Sequence, residues 1–463
     1  MIKSIEDFKN KIIQGDCLEL LKEILDNSID AIITDPPYGL EFMGKEWDKF
    51  GADTGEVNER WGKDGNTIPS NRVKFHKGIE GQNSFQQFSF KWAKEALRVL
   101  KHGGYLLSFG GTRTYHRMVC GIEDAGFEIR DCIMWIYGSG FPKSLNIGKQ
   151  IDKIQGNERE DLGENPNKRD RTKAEFNSVG NFGNNFRLTK GNSEWEGWGT
   201  ALKPACEPII LARKPLSEKN VALNVLKWGT GGINIDECRI QNGEIIKVSG
   251  DKKQLQKWKE QDGRTEKDKD EIINTPYEHN LGRFPANIIL DEEAGEMLDE
   301  QSGIQVSRGN RINVQYKNPN KPIIDFGGGI KNDYNDKGGA SRFFYCAKAS
   351  KSERNMGCEE LEEKQVDGTN GNKYLGLDSA GIRNPYTKNN HPTVKPIKLI
   401  KYLIKLVSKE GAIILDPFLG SGTTAVACKQ LNRNFIGIEK EKEYIEIANK
   451  RLSQSNLNNF LNT

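Results

Sequence analysis

Apolar residues along this chain fall into short blocks whose spacing switches between strand and helix periods. Lys11 to Gln14 predicts a short strand ending at Gly15 and Asp16. Leu18, Leu21, Ile24 and Leu25 then recur at helical spacing, and Ile29 to Ile33 is a continuous apolar run of strand length. Beyond a polar stretch from Glu41 to Asn83, the positions Phe85, Phe88, Trp92, Ala96, Leu97 and Leu100 mark an amphipathic helix, with Gly103-Gly104 as its stop. Tyr105 to Phe109 predicts a strand, Arg113 to Ala125 a helix closed by Gly126, Phe127 to Tyr137 a strand region, and Pro208 to Ala212 another. Such alternation predicts an α/β fold with a mainly parallel sheet and helices on both faces.

The middle of the chain breaks the pattern. Residues 151–200 are rich in Asn, Gly and charge, and Asp251 to Asp270 is nearly all Lys, Glu, Asp and Gln around Trp258, so both stretches read as solvated, flexible insertions. Between and after them, Asn224 to Ile240, Gly282 to Leu290 and Arg342 to Lys348 read as ordered islands with interleaved aromatic and basic residues. Regular alternation then returns. Pro396 starts a helix carrying Ile397, Ile400, Leu403, Ile404 and Val407 on one face, with Gly411 as its stop. Ala412 to Leu415, Thr423 to Leu431, Asn434 to Ile438 and Glu441 to Arg451 follow as strand, helix, strand and helix, so the C-terminus is expected to complete the N-terminal sheet.

Composition narrows the classes. A chain of 463 residues exceeds a single typical domain, and 35% hydrophobic against 29% charged residues fits solvated insertions around a compact core. The balance of 68 Lys and Arg with 65 Asp and Glu gives a net charge of +3, so any basic face must be local. The 8 cysteines are scattered without the close pairs of zinc or redox sites, so no metal is expected. No run approaches membrane length and the first residues do not form a leader, which together predict a cytoplasmic protein.

Two turns carry the candidate chemistry. Asp35-Pro36-Pro37-Tyr38 follows the Ile29 to Ile33 strand and offers carbonyl and carboxylate acceptors on a stiff turn beside an aromatic face. Asp416-Pro417-Phe418-Leu419-Gly420-Ser421-Gly422-Thr423-Thr424 links a strand to a helix, and its glycines permit close backbone approach to a ligand. Glu439, about 20 residues past the turn, fits an acceptor for ribose hydroxyls. Each motif has a plainer reading: a proline-stiffened loop for the first, an ordinary strand-turn-helix unit for the second.

Read together, and with His391-Pro392-Thr393-Val394-Lys395-Pro396 just ahead of the second, these motifs resemble the amino-methylating DNA methyltransferases that use S-adenosylmethionine. The order, catalytic motif first and cofactor motif last, is similar to the beta class. Trp198 to Pro204, Asn224 to Gly231, Gly282 to Asn287 and Phe343 to Lys348 are similar to stretches of phage and prophage members. The resemblance implies a Rossmann-like doubly wound sheet, mainly parallel and seven-stranded, in circularly permuted order with an inserted target recognition domain. Residues 1–213 and 391–463 would form the two parts of the catalytic domain, with a flexible insert over 151–200, and 214–390 the recognition domain.

The resemblance also assigns roles. Asp416, Phe418, Gly420, Ser421, Gly422 and Thr423 look like cofactor contacts, Glu439 the ribose acceptor and Asp16 a partner of the cofactor adenine. His391, Thr393 and Lys395 are expected near the methionine end. Asp35, Pro36, Pro37 and Tyr38 would hold an extruded base: the Asp35 carboxylate and Pro36 carbonyl take the amino hydrogens, and Tyr38 stacks. Arg342, Lys348, Lys351 and Arg354 are candidate phosphate contacts. Double-stranded DNA is the expected partner, with a separate restriction endonuclease as a further candidate and oligomeric state left open. An aspartate at the head of the motif favours adenine over cytosine. The rivals are a catalytically silent DNA-recognition module, a nicotinamide-dependent oxidoreductase, for which the turn lacks the usual third glycine, and methylation of RNA or of a protein amide.

Overall fold

The computed structural model describes residues 4–39, 78–138, 140, 144–164, 187–241, 244–245, 282–306, 336–347, 355–360, 364–367, 373–374, 376–377, 383–384, 386–389, 391 and 394–461. Most of the polar stretch from Glu41 to Asn83, the run from Asp251 to Asp270, and the residues Thr393, Lys348, Lys351 and Arg354 lie outside them.

A mixed sheet organises the described residues. Its strands are β1 (Lys11–Gln14), β2 (Ile29–Thr34), β3 (Leu100–Phe109), β4 (Glu128–Ile136), β5 (Cys206–Arg213), β6 (Ile288–Asp291), β7 (Tyr345–Ala347), β8 (Ile413–Asp416) and β9 (Asn434–Glu439). They lie in the order β1-β9-β8-β2-β3-β5-β4-β6-β7. Every pairing is parallel except those of β5, which runs antiparallel to both β3 and β4. The C-terminal strands β8 and β9 thus lie between β1 and β2, as the permuted order requires.

Continuous apolar strands arise because both faces of this sheet are covered. Ile33, Leu107, Ile209 and Ile414 join the core on one face with the helix Ile397–Val407 and the helix Thr423–Gln430. Ile32, Leu106, Ile210, Leu415 and Ile436 join the core on the other, with Trp92, Ala96 and Met118 from the helices Gly78–Val99 and Tyr115–Asp124. Alternation in register is what separates them: Ile32 pairs with Leu106 and Ile33 with Leu107.

Two features depart from the sequence expectation. The helix predicted as far as Leu100 stops at Val99, and Leu100 opens a long strand instead of the short one predicted from Tyr105. Gly103, at φ +78°, sits inside that strand, where an added Cβ would lie 2.4 Å from Asn224 Nδ2, so tertiary packing rather than a helix stop explains the glycine. The sheet is also wider than seven strands. β6 and β7 come from the islands at Gly282 to Leu290 and Arg342 to Lys348, and extend the β4 edge.

Packing runs straight across residue 214. Asn224 Nδ2 and Thr230 Oγ1 both donate to His102 O, at 2.8 and 2.7 Å, and Tyr345 stacks on Tyr402 with ring centroids 4.0 Å apart. Much of the ordered sequence between 214 and 347 is therefore built onto the sheet. Within the 151–200 stretch, the helix Ile147–Gln155 and the strand pair Glu160–Glu164 with Arg187–Lys190 are ordered, tied by Arg159 to Asp152 and Glu196. Among the described residues no helix is long and apolar enough to cross a membrane.

Candidate active site

Parallel strands deliver their C-terminal residues to one edge of a sheet, and an antiparallel neighbour delivers its N-terminal residues to that same edge. Here that edge gathers Asp16 after β1, Asp35 after β2, Asp416 at the end of β8, Glu439 at the end of β9 and Glu207 near the start of β5. Since β2 and β8 are adjacent, the proline turn and the glycine turn meet although 382 residues separate the atoms that join them. Thr34 Oγ1 donates to Asp416 Oδ1 at 2.7 Å, and both residues are buried.

Around the glycine turn each acceptor is oriented by backbone or hydroxyl donors. Asp416 accepts from Thr34, from Thr424 Oγ1 at 2.7 Å and from Phe418 N at 3.1 Å. Burial still pushes its carboxyl up from 3.8 to about 6 against those donors, with the Asp35 charge adding to the rise. Glu439 accepts from Gly420 N at 2.7 Å and Glu441 N at 2.8 Å, and burial raises its carboxyl above the ordinary range despite these bonds. Gly420 has φ +55°, and an added Cβ would stand 2.6 Å from His391 Nε2. The imidazole packs edge-on against Tyr444 at 4.5 Å. Phe418 is clamped by Trp92 and Phe88, at 5.7 and 6.0 Å between centroids. Asp16 caps the short helix Cys17–Leu20 through Leu18 N at 2.9 Å, with Lys440 Nζ 3.8 Å from its other oxygen.

Ser421, Gly422 and Thr423 occupy the helix entrance, and two of their hydroxyls face inward. The fully buried Arg451 donates to Ser421 O at 2.7 Å, Ser421 Oγ at 3.1 Å and Thr423 Oγ1 at 3.0 Å. Sequence reasoning missed this arginine. Its signal was present: Tyr444, Ile447, Ala448 and Arg451 share one helical face, so the guanidinium lands on the buried side.

Lys395 stands at the proline turn. Its ammonium bonds Asp35 Oδ2 at 2.6 Å and lies 3.2 Å from Glu207 Oε2, with the Phe109 ring centroid 5.0 Å away. Burial alone would pull this lysine down, but the two carboxylates outweigh it and hold the ammonium charged well above its ordinary value. Tyr38 hydroxyl donates to Asp35 Oδ1 at 2.7 Å with Glu207 Oε2 at 3.2 Å, while Thr114 Oγ1 donates to Tyr38 O at 2.6 Å. Burial, then the two carboxylates, raise the Tyr38 phenol, so it stays a donor. Glu207 is the second residue the sequence reading passed over. An acidic residue directly ahead of an apolar strand was its only trace.

Arg342 is not displayed to a ligand. Its guanidinium donates to Gly338 O and Gly339 O, both at 2.7 Å, lies 3.6 Å from the buried Asp336, and stacks on Phe343 at 4.4 Å. The arginine expected as a phosphate contact therefore has internal partners in the structure. An arginine in a sequence island cannot be told from a surface one until its carboxylate partner is seen.

A turn of acceptors facing a glycine-lined cradle, with strand order permuted around it, is the arrangement of an amino methylase, and the family comparison agrees. The DNA methylase model of the N6/N4 methyltransferases matches residues 29–450, and the chain belongs to that family. Among curated relatives, the Type II methyltransferase M.HindIII of Haemophilus influenzae is 23% identical over 97% of both chains. M2.DpnII of Streptococcus pneumoniae is 56% identical over 69 residues, 15% of this chain and 26% of its own. Among solved structures, PvuII DNA methyltransferase (cytosine-N4-specific) overlaps 98% of this chain and 91% of its own at 12% identity and TM-score 0.39. M1.HpyAVI in complex with SAM overlaps 96% and 99% at 16% identity and TM-score 0.34. The family's methyl donor is S-adenosylmethionine, and the cradle formed by Gly420, Gly422 and Glu439 fits a nucleoside cofactor.

Proposed function

We propose that this protein is a site-specific DNA methyltransferase that methylates the exocyclic amino group of adenine. The observation that carries the proposal is the Thr34 to Asp416 bond of 2.7 Å, which sets the amine-binding turn beside the cofactor turn. Asp416, Phe418, Gly420, Gly422 and Glu439 would hold the cofactor, with Asp16 and His391 at its margins and Ser421 and Thr423 shaping the turn through Arg451. When bound, S-adenosylmethionine supplies an electrophilic methyl group on a sulfonium centre.

The chain's own residues make the amine competent. An adenine amino nitrogen is a weak nucleophile because its lone pair is delocalised into the ring. Acceptors on both amino hydrogens favour a localised pair. Asp35 carboxylate and Pro36 carbonyl are those acceptors, stiffened by Pro36 and Pro37 before substrate arrives. One ammonium faces two carboxylates at this site, so a net negative charge remains to favour positive charge developing on the amine. A duplex hides the amino group, so the base is extruded, and Tyr38 offers the adjoining ring. Lys348, Lys351 and Arg354 are proposed phosphate contacts, and a separate endonuclease is a proposed partner, as the relatives' Type II names imply of those proteins.

Adenine is favoured by the aspartate that heads Asp35-Pro36-Pro37-Tyr38. The test is transfer of labelled methyl from S-adenosylmethionine to unmodified DNA, followed by digestion and identification of the labelled nucleoside. N6-methyladenine is expected, with Asp35→Ala about 10²- to 10³-fold slower. Label found only in N4-methylcytosine overturns the choice of base.

A further inference from the structure

Both oxygens of the catalytic carboxylate are already engaged: Asp35 Oδ2 by the Lys395 ammonium at 2.6 Å and Oδ1 by the Tyr38 hydroxyl at 2.7 Å. Each oxygen keeps a second lone pair, so a base amino group can bond Asp35 beside these donors or in place of one of them. Displacing a buried ammonium from a carboxylate is costly unless a second anion receives it. Glu207 is placed to be that anion, since its Oε2 lies 3.2 Å from Lys395 Nζ and 3.2 Å from the Tyr38 hydroxyl. We propose that Glu207 is a positioning residue: it is the second seat to which Lys395 and Tyr38 turn when the extruded base takes Asp35. This rests on the methyl-transfer reading of the same site.

Three properties support the exchange. Each shared donor has Asp35 as its near acceptor and Glu207 as its far one, so the handover needs no new contacts, only a change in which is shorter. Lys395 stays protonated throughout, and no charge leaves the site. Glu207 enters from β5, the strand of opposite direction, so it faces the turn from a different element and can hold the donors while Asp35 engages the substrate.

The experiment compares wild type, Glu207→Gln, Lys395→Met and the double variant in initial-rate transfer of labelled methyl to DNA, with kcat and KM determined for DNA and for S-adenosylmethionine. Glu207→Gln, which is isosteric, is expected to lose about tenfold or more in kcat/KM for DNA, because Lys395 then stays on Asp35. Its KM for S-adenosylmethionine is expected to be unchanged. The double variant is expected to be faster than Glu207→Gln, since removing the ammonium frees the carboxylate. Wild-type kcat/KM for DNA in Glu207→Gln overturns the proposal. So does a double variant no faster than Glu207→Gln, or a parallel loss in both KM values. A wild type that labels no DNA base overturns the methyl-transfer reading itself, independently of how the variants rank.

Discussion

Thr34→Val tests the bond that joins the two turns. Valine preserves shape and removes the hydroxyl that donates to Asp416 Oδ1 at 2.7 Å. Asp416 carboxyl sits at about 6 against an ordinary 3.8, chiefly through burial, with the Thr424 and Thr34 hydroxyls and Phe418 N–H opposing. For an acid raised on folding, its stability contribution is full below about pH 3.8 and is lost as pH climbs through about 6. That shift corresponds to about 3 kcal/mol. Losing the donor costs the neutral acid an ordinary hydrogen bond of about 1 kcal/mol, and costs the carboxylate a charge-assisted one of about 2 to 3 kcal/mol. The midpoint of Asp416 is therefore expected to rise by about one further pH unit. The gap in stability between wild type and variant should widen by about 1 to 2 kcal/mol between acid and pH near 8. Urea unfolding of both proteins across that range at fixed salt measures it. A gap that is constant with pH, or widest in acid, refutes the assignment of Thr34 as donor to an ionising Asp416.

Three other outcomes follow from the geometry. Gly420→Ala places a Cβ in the left-handed region, 2.6 Å from His391 Nε2, and is expected to weaken cofactor binding about tenfold or more in a fluorescence titration. An unchanged dissociation constant would exclude this turn from the cofactor site. Arg451→Leu strips the donor from Ser421 and Thr423 and is expected to destabilise the protein by about 3 kcal/mol or more and to lower cofactor affinity; wild-type unfolding would show the buried guanidinium to be dispensable. Arg342→Ala is expected to lower stability while leaving the salt dependence of DNA binding unchanged, because its guanidinium is committed to Gly338, Gly339 and Asp336. A slope reduced by about one would return it to the phosphate contacts.

Local sequence determined the elements and the backbone character of the two turns. Strand and helix periods marked β1, β2, β8, β9 and the helix from Thr423 to within a residue or two, and the start of the helix after Pro396, which ends at Val407 short of Gly411, because buried parallel strands and amphipathic helices leave direct periodic traces. Prolines and glycines at 36, 37, 420 and 422 announced backbone stiffness and close approach for the same local reason. Tertiary structure decided what no local pattern encodes. It chose the antiparallel course of β5 that brings Glu207 to the edge holding Asp35, the pairing of Lys395 with Asp35, the internal pairing of Arg342 with Asp336, and the addition of β6 and β7 to the sheet. Each depends on a partner more than 100 residues away or on a carboxylate that turns a surface type inward, and a charged residue looks the same in sequence whether solvent or a buried counter-ion receives it.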